Sequence, residues 1–114
     1  MAFDVHKTLG PGLFESVYEE VMWHELTVHC GLLVKRQEVI PVVWRQVRMD
    51  MAFRADLIVE GKVLVELKSI ESISAVHPKQ VLTYLKLTGL KLGLLLNFNE
   101  TLLRNGIKRI VNGL

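Results

Sequence analysis

The residues from Arg54 to Lys68, Arg-Ala-Asp-Leu-Ile-Val-Glu-Gly-Lys-Val-Leu-Val-Glu-Leu-Lys, constrain the fold more than any other stretch. Two β-rich runs, Arg54–Val59 and Val63–Lys68, flank the polar Glu60-Gly61-Lys62. Glycine supplies the positive backbone angles of a tight reversal, so the stretch reads as a β-hairpin. With a three-residue loop, Val59 faces Val63 and, counting outward, Asp56 lands opposite Glu66. Side chains alternate between faces with a period of two, so Lys68 joins them. The other face carries Leu57, Val59, Val63, Val65 and Leu67, a packing surface.

Two carboxylates side by side on an inner strand pair repel, and their desolvation is costly unless a cation compensates. Hard oxygen donors suit magnesium. A lysine beside them can orient or deprotonate a water, or stabilise charge developing at phosphorus. These are the parts of metal-assisted phosphodiester hydrolysis. The plainer reading is a solvated hairpin face with one cross-strand ion pair.

At 114 residues, half of them hydrophobic, the chain is expected to form a single globular domain over 1–114. A net charge of +2 and a pI near 8.8 permit a polyanionic partner without requiring one. Lone Cys30 excludes an intramolecular disulfide and a cysteine-based zinc site, and fits a reducing cytoplasmic setting. Asp4, His6 and Lys7 interrupt the apolar run that a signal peptide needs. No run approaches the ~20 apolar residues of a bilayer span, so no membrane partner is expected.

Along the chain, residues 2–9 read as a short helix stopped by Gly10-Pro11-Gly12. Leu13 to Cys30 is amphipathic at helical spacing and ends at Gly31, with Glu15, Tyr18, Glu19, Met22 and Leu26 on one face. Leu32–Glu38 and Ile40–Trp44 are β-rich and separate at Val39–Pro41, where proline marks an edge or bend. Arg45-Gln46 reads as a turn into Val47–Met51. Lys35, Arg36, Arg45, Arg48 and Arg54 punctuate this region as solubilising charge or, together, as phosphate contacts; Trp44 reads as packing in preference to base stacking. A helix is expected from Val76 to Thr88, with Pro78 in its first turn and Gly89 at its end. The apolar run Lys91 to Phe98 suits a strand covered on both faces. A turn with a short helical piece in Asn97 to Gly106 leads to a last strand, Ile107–Val111.

Asp56 followed by Glu66-Leu67-Lys68 resembles the D…(D/E)xK signature of the PD-(D/E)XK nuclease superfamily, with Ala55 in place of the proline. Gly12-Leu13-Phe14-Glu15-Ser16-Val17-Tyr18 resembles the pattern of the small GxxExxY family placed in that superfamily, and the flanking residues from Val5 and the end from Gly106 to Leu114 are similar to it too. Gln80-Val81-Leu82-Thr83-Tyr84 reads as the QxxxY of the RecB-like branch, which puts Gln80 and Tyr84 on one helix face. The resemblance implies an α/β (α+β) restriction-endonuclease-like core, a mixed central sheet flanked by helices. It implies Asp56 and Glu66 as magnesium or manganese ligands, with the Leu67 carbonyl and a first-helix acid, Glu15 or secondarily Glu19, completing the set. Lys68 would serve the attacking water, and Gln80 and Tyr84 would brace the carboxylates or the scissile phosphate. The expected activity is hydrolysis of nucleic acid, DNA foremost, with a homodimer or partner chain to help hold a duplex. The alternative is a catalytically silent nucleic-acid- or protein-binding module that keeps the nuclease fold.

Overall fold

The computed structural model describes residues 1–113, and for Asp50, Met51 and Ala52 the backbone alone. Helix α1 spans Ala2–Leu9, α2 spans Glu15–His24, and a π-helical turn, Glu25–His29, continues α2. Strands β1 (Val34–Trp44), β2 (Val47–Val59) and β3 (Val63–Lys68) follow, then α3 (Val76–Thr88), β4 (Leu92–Asn97), a 3-10 turn at Leu103–Gly106 and β5 (Ile107–Val111). The strands form one sheet in the order β1-β2-β3-β4-β5. Only β3 and β4 run parallel, joined through α3, so the sheet is mixed. This is the class expected of a restriction-endonuclease-like core.

Alternation along β3 and β4 divides the interior into two layers. Leu57, Val65, Leu67 and Leu96 pack with Tyr18, Met22 and Leu26 on the α1/α2 face. Ile58, Leu64, Leu95 and Ile110 pack with Val81 and Leu85 of α3 on the other. Burying each such aliphatic side chain is worth ~1.5–3 kcal/mol. Strands β3 and β4 are covered on both faces, by the α1/α2 layer and by α3, which explains why these two runs read as continuously apolar rather than alternating.

The hairpin takes the expected register, Val59↔Val63, Ile58↔Leu64 and Leu57↔Val65. Its turn uses positive φ at Glu60 (55°) as well as at Gly61 (62°). Glu60 also ties the turn to the chain before β1, accepting from the Leu33 N–H and donating its own N–H to the Leu33 carbonyl.

Three expectations change. The two runs 32–38 and 40–44 form one strand, because the bend at Pro41 is taken up as a register shift between Ile40 and Val42 on a sheet edge. Val47–Met51 likewise is the beginning of a 13-residue β2. Trp44 is not a packing residue: it is 64% exposed at the tip of the β1–β2 ribbon, beyond the reach of either core layer. At that tip Arg45 and Gln46 both have positive φ, the two-residue turn that suits a twisted hairpin.

One constraint on the end of the sheet is steric. A Cβ on Gly106 would stand 2.5 Å from the Asn97 carbonyl oxygen and 3.1 Å from the Asn97 Cβ. Asn97 is fully buried, and its amide accepts from the N–H groups of Ile70 and Asn99 and donates to the Ile70 carbonyl. Gly106→Ala is therefore expected to lower stability by ~1–3 kcal/mol, read as a lower urea midpoint at unchanged slope.

Candidate active site

The β2–β3 ladder stops at Leu57↔Val65, and the next pair, Asp56 and Glu66, bond through their side chains instead. The Asp56 N–H donates to Glu66 Oε1 at 3.0 Å, and the Leu67 N–H donates to Asp56 Oδ2 at 2.8 Å. Each carboxylate thus occupies a place that a strand carbonyl would otherwise fill. Within one strand residue the N–H and C=O point to the same side, so the Leu67 carbonyl also opens toward the gap between β2 and β3.

On the other side of Asp56 stands Gln37 of β1, in the line of the Arg36↔Leu57 and Glu38↔Ala55 pairs but with a positive φ of 48°. This is a local irregularity of the kind found beside functional sites. The ribbon changes its inward face here. Val34 packs with the α1/α2 layer and Arg36 reaches α2, whereas Ile40 packs with the α3 layer. Gln37 Nε2 donates to Asp56 Oδ1 at 3.2 Å and also to Glu19 Oε1. Glu19 further accepts from Arg36 Nη2 at 3.2 Å, and Arg36 pairs with Glu20 at 2.7 Å.

Glu15, at the start of α2, is exposed and accepts from the Ser69 N–H at 3.3 Å, one residue past Lys68. Ser69 Oγ donates to the Leu13 carbonyl. Tyr18 anchors this loop from below. It is fully buried, stacked on Phe98 with centroids 4.4 Å apart, donating to the Gly10 carbonyl and accepting from the Leu13 N–H. Tyr84 is half-buried on α3 with its ring against Phe53, and Gln80 is exposed one turn earlier on the same helix face. His77 serves the helix start, its Nδ1 accepting from the Ser74 N–H.

The electrostatics follow from burial. Glu66 is pushed up to about 8, first by desolvation and then by the charge of Asp56. Asp56 is also raised, again by burial first; the Leu67 N–H is the largest opposing influence, and the charge of Glu19 adds to the rise. Lys68 pulls both carboxyls down, yet among the described residues no basic side chain forms an ion pair with either. Burial raises Tyr84, and the charges of Glu66 and Asp56 add to it, so its hydroxyl lies within their field.

The structure therefore brings Asp56 and Glu66 into one hydrogen-bonded pair, reaches Glu19 through Gln37, and sets Glu15 against the residue after Lys68. Among the described residues, no three acidic, histidine or cysteine side chains stand close enough to enclose an ion as they lie. Gln37 was not legible as a site residue. A lone glutamine on a charged edge strand carries no pattern, and Gln37 gains its place only from the cross-strand register.

The model of the PD-(D/E)XK nuclease superfamily matches residues 1–110. The chain belongs to that superfamily. No curated protein and no solved structure matches it significantly. Members of the superfamily are in general nucleases that use divalent metals, and the mixed sheet with flanking helices agrees with their core. No helix among the described residues is long and apolar enough to cross a membrane.

Proposed function

We propose that this superfamily member is a divalent-metal-dependent nuclease hydrolysing phosphodiester bonds, of DNA foremost, with magnesium as its ion and manganese as a substitute. The observation that carries the reading is the Asp56–Glu66 pair, half-buried and buried respectively, at the gap between β2 and β3, held together without a paired cation. Two carboxyls so placed repel when both ionise, and a divalent ion supplies the missing positive charge. The donor set fits such an ion: Asp56, Glu66 and the Leu67 carbonyl are all hard oxygen donors, with Glu15, whose charge acts on Glu66, and Glu19, whose charge acts on Asp56, as the further acids.

When bound, the ion would polarise the phosphoryl oxygen and favour the ionised form of the attacking water. Lys68, on the same face as Glu66, orients that water and stabilises the charge gathering on phosphorus as its oxygen attacks and the leaving oxygen departs. Gln37 fixes Asp56 from the β1 side, while Glu19, bonded to Gln37 and Arg36, orients Gln37. Tyr84 and Gln80, on the α3 wall, position the carboxylates or the scissile phosphate.

A second reading, a nucleic-acid- or protein-binding module without turnover, draws support from Glu19 being engaged by Arg36 rather than free for a metal. Cleavage of labelled single- and double-stranded DNA and RNA with magnesium or manganese separates the two. Wild-type cleavage is expected, abolished by Asp56→Ala and slowed ~10²–10³-fold by Lys68→Ala with metal binding retained. Equal cleavage by all three proteins would sink the assignment of the site, and folded, metal-loaded wild type without cleavage favours the binding module.

A further inference from the structure

Beyond Asp56 and Gln37 the sheet narrows to two strands, β1 and β2, and this ribbon ends in the most exposed large apolar side chains among the described residues of the sheet. Val43, Trp44 and Val47 are 62%, 64% and 59% exposed. The Arg45 guanidinium lies over the Trp44 ring, 5.5 Å from its centre, so the tip sets positive charge against one aromatic face. Its charge is mainly basic: Arg45 and Arg48 flank the turn, with Asp50 and Glu38 the nearest acids along the two strands. From Lys35 to Arg54 there are five basic and two acidic residues, a net +3, so the remainder of the +2 chain is −1.

We infer that the outer β1–β2 ribbon is a duplex-DNA-binding arm that enters the major groove beside the phosphate held at Asp56. The inference rests on the nuclease reading for its choice of a duplex, and it names the surface that would hold one. Three observations carry it. The ribbon is a two-stranded antiparallel element, a shape that the B-DNA major groove admits and the deep, narrow groove of RNA does not. Its base supplies Asp56 and Gln37, so groove and site are joined by the same two strands. Gln37 to Trp44 is seven residue steps, or ~23 Å of strand at ~3.3 Å per residue, well within one turn of duplex. The long axis of the molecule, 47 Å against 32 and 27 Å, accommodates such an arm.

A second copy of the chain is the competing occupant of this apolar tip. A two-fold interface sets a patch against itself, which would bring Arg45 against its own counterpart. A polyanion meets the same surface with opposite charge.

The test is binding of an end-labelled 24-base-pair DNA duplex, followed by fluorescence anisotropy with magnesium in a Lys68→Ala background of the full chain. The tip variant is Trp44→Ala/Arg45→Ala/Arg48→Ala. The control is Lys108→Ala/Arg109→Ala on β5, which removes the same charge from the opposite sheet edge. We expect the tip variant to bind at least tenfold more weakly with an unchanged melting temperature, and its logarithmic salt dependence to flatten by about two. The control is expected to lose less than threefold.

Equal losses in both variants, no loss in the tip variant, or no duplex binding by the parent overturn the inference. A parent dimer that the tip variant dissociates, seen by sedimentation, also overturns it and assigns the tip to self-association. Cleavage measured in parallel with Lys68 intact keeps the two proposals apart. Duplex binding through the tip without cleavage sinks the nuclease reading and supports the arm; cleavage untouched by the tip variant does the reverse.

Discussion

Glu66→Gln is expected to abolish cleavage, by about a thousandfold or more, while making the metal-free protein more stable at pH 8. The two effects have one cause. The amide keeps the size of Glu66 and can still accept from the Asp56 N–H, so the hydrogen bond that joins the strands survives. What it removes is the charge that a metal needs and that an empty site opposes. A bound ion is worth several kcal/mol to phosphoryl transfer, and each 1.36 kcal/mol is a factor of ten in rate.

The sign of the stability effect follows from proton linkage. Glu66 has an ordinary value of 4.5 and is pushed up to about 8 in the fold, chiefly by burial and the neighbouring Asp56. Between these values the native state holds a proton that the unfolded chain has lost. The contribution of Glu66 to metal-free stability is therefore fully present below pH 4.5, falls as pH rises, and its loss is complete above pH 8. The expected size is ~2–4 kcal/mol, less than the full shift implies because the carboxyls share their titration. In Glu66→Gln the profile flattens, leaving a smaller slope from Asp56, which is raised in the same sense. Urea unfolding with chelator at pH 5, 6.5 and 8 reads both. Saturating magnesium, at about a hundred times its dissociation constant, should return ~2.7 kcal/mol to wild type at pH 8 and little to the variant. A wild-type profile that rises from pH 5 to 8 without metal would contradict the buried-pair account.

The hairpin, its register and α3 were legible because each is specified locally. The Glu60-Gly61-Lys62 turn fixes the pairing, and a period of two then places Asp56 opposite Glu66. Val76–Thr88 was bounded by Pro78 and Gly89, residues with definite backbone preferences. The ending of the ladder at that same pair was not legible. It depends on Gln37 adopting a positive φ on a third strand and on Asp56 accepting from the Leu67 N–H, contacts that no spacing rule encodes. Trp44 was misjudged for a related reason. A tryptophan that closes an apolar strand run usually packs, but whether anything lies over it depends on where the sheet narrows to two strands. Glu19 shows the same limit, since only the folded β1 brings Arg36 and Gln37 to it.

Tyr18→Ala is expected to cost ~4 kcal/mol, a large share of the ~5–15 kcal/mol that holds a domain of this size. The ring is fully buried and stacked nearly parallel on Phe98, at an interplanar angle of 14°, so truncation opens a cavity between α2 and the end of β4. Tyr18→Phe keeps the ring and isolates the hydroxyl, which joins the Gly10 carbonyl to the Leu13 N–H. Its loss should cost only ~1–2 kcal/mol. The sharper consequence is at the site. The Leu13 carbonyl accepts from Ser69 Oγ, and Glu15 accepts from the Ser69 N–H, so the loop that Tyr18 fastens is also the loop that holds the residue after Lys68. Tyr18→Phe should therefore unfold cooperatively at a slightly lower urea concentration yet lose cleavage severalfold, as a fall in kcat at little changed KM. If Tyr18→Phe loses stability alone and turns over at the wild-type rate, the tyrosine of this heptad serves packing only. Lys68 would then be held in place by the sheet, through its Leu67↔Leu96 and Lys68↔Asn97 pairings, rather than by the loop before α2.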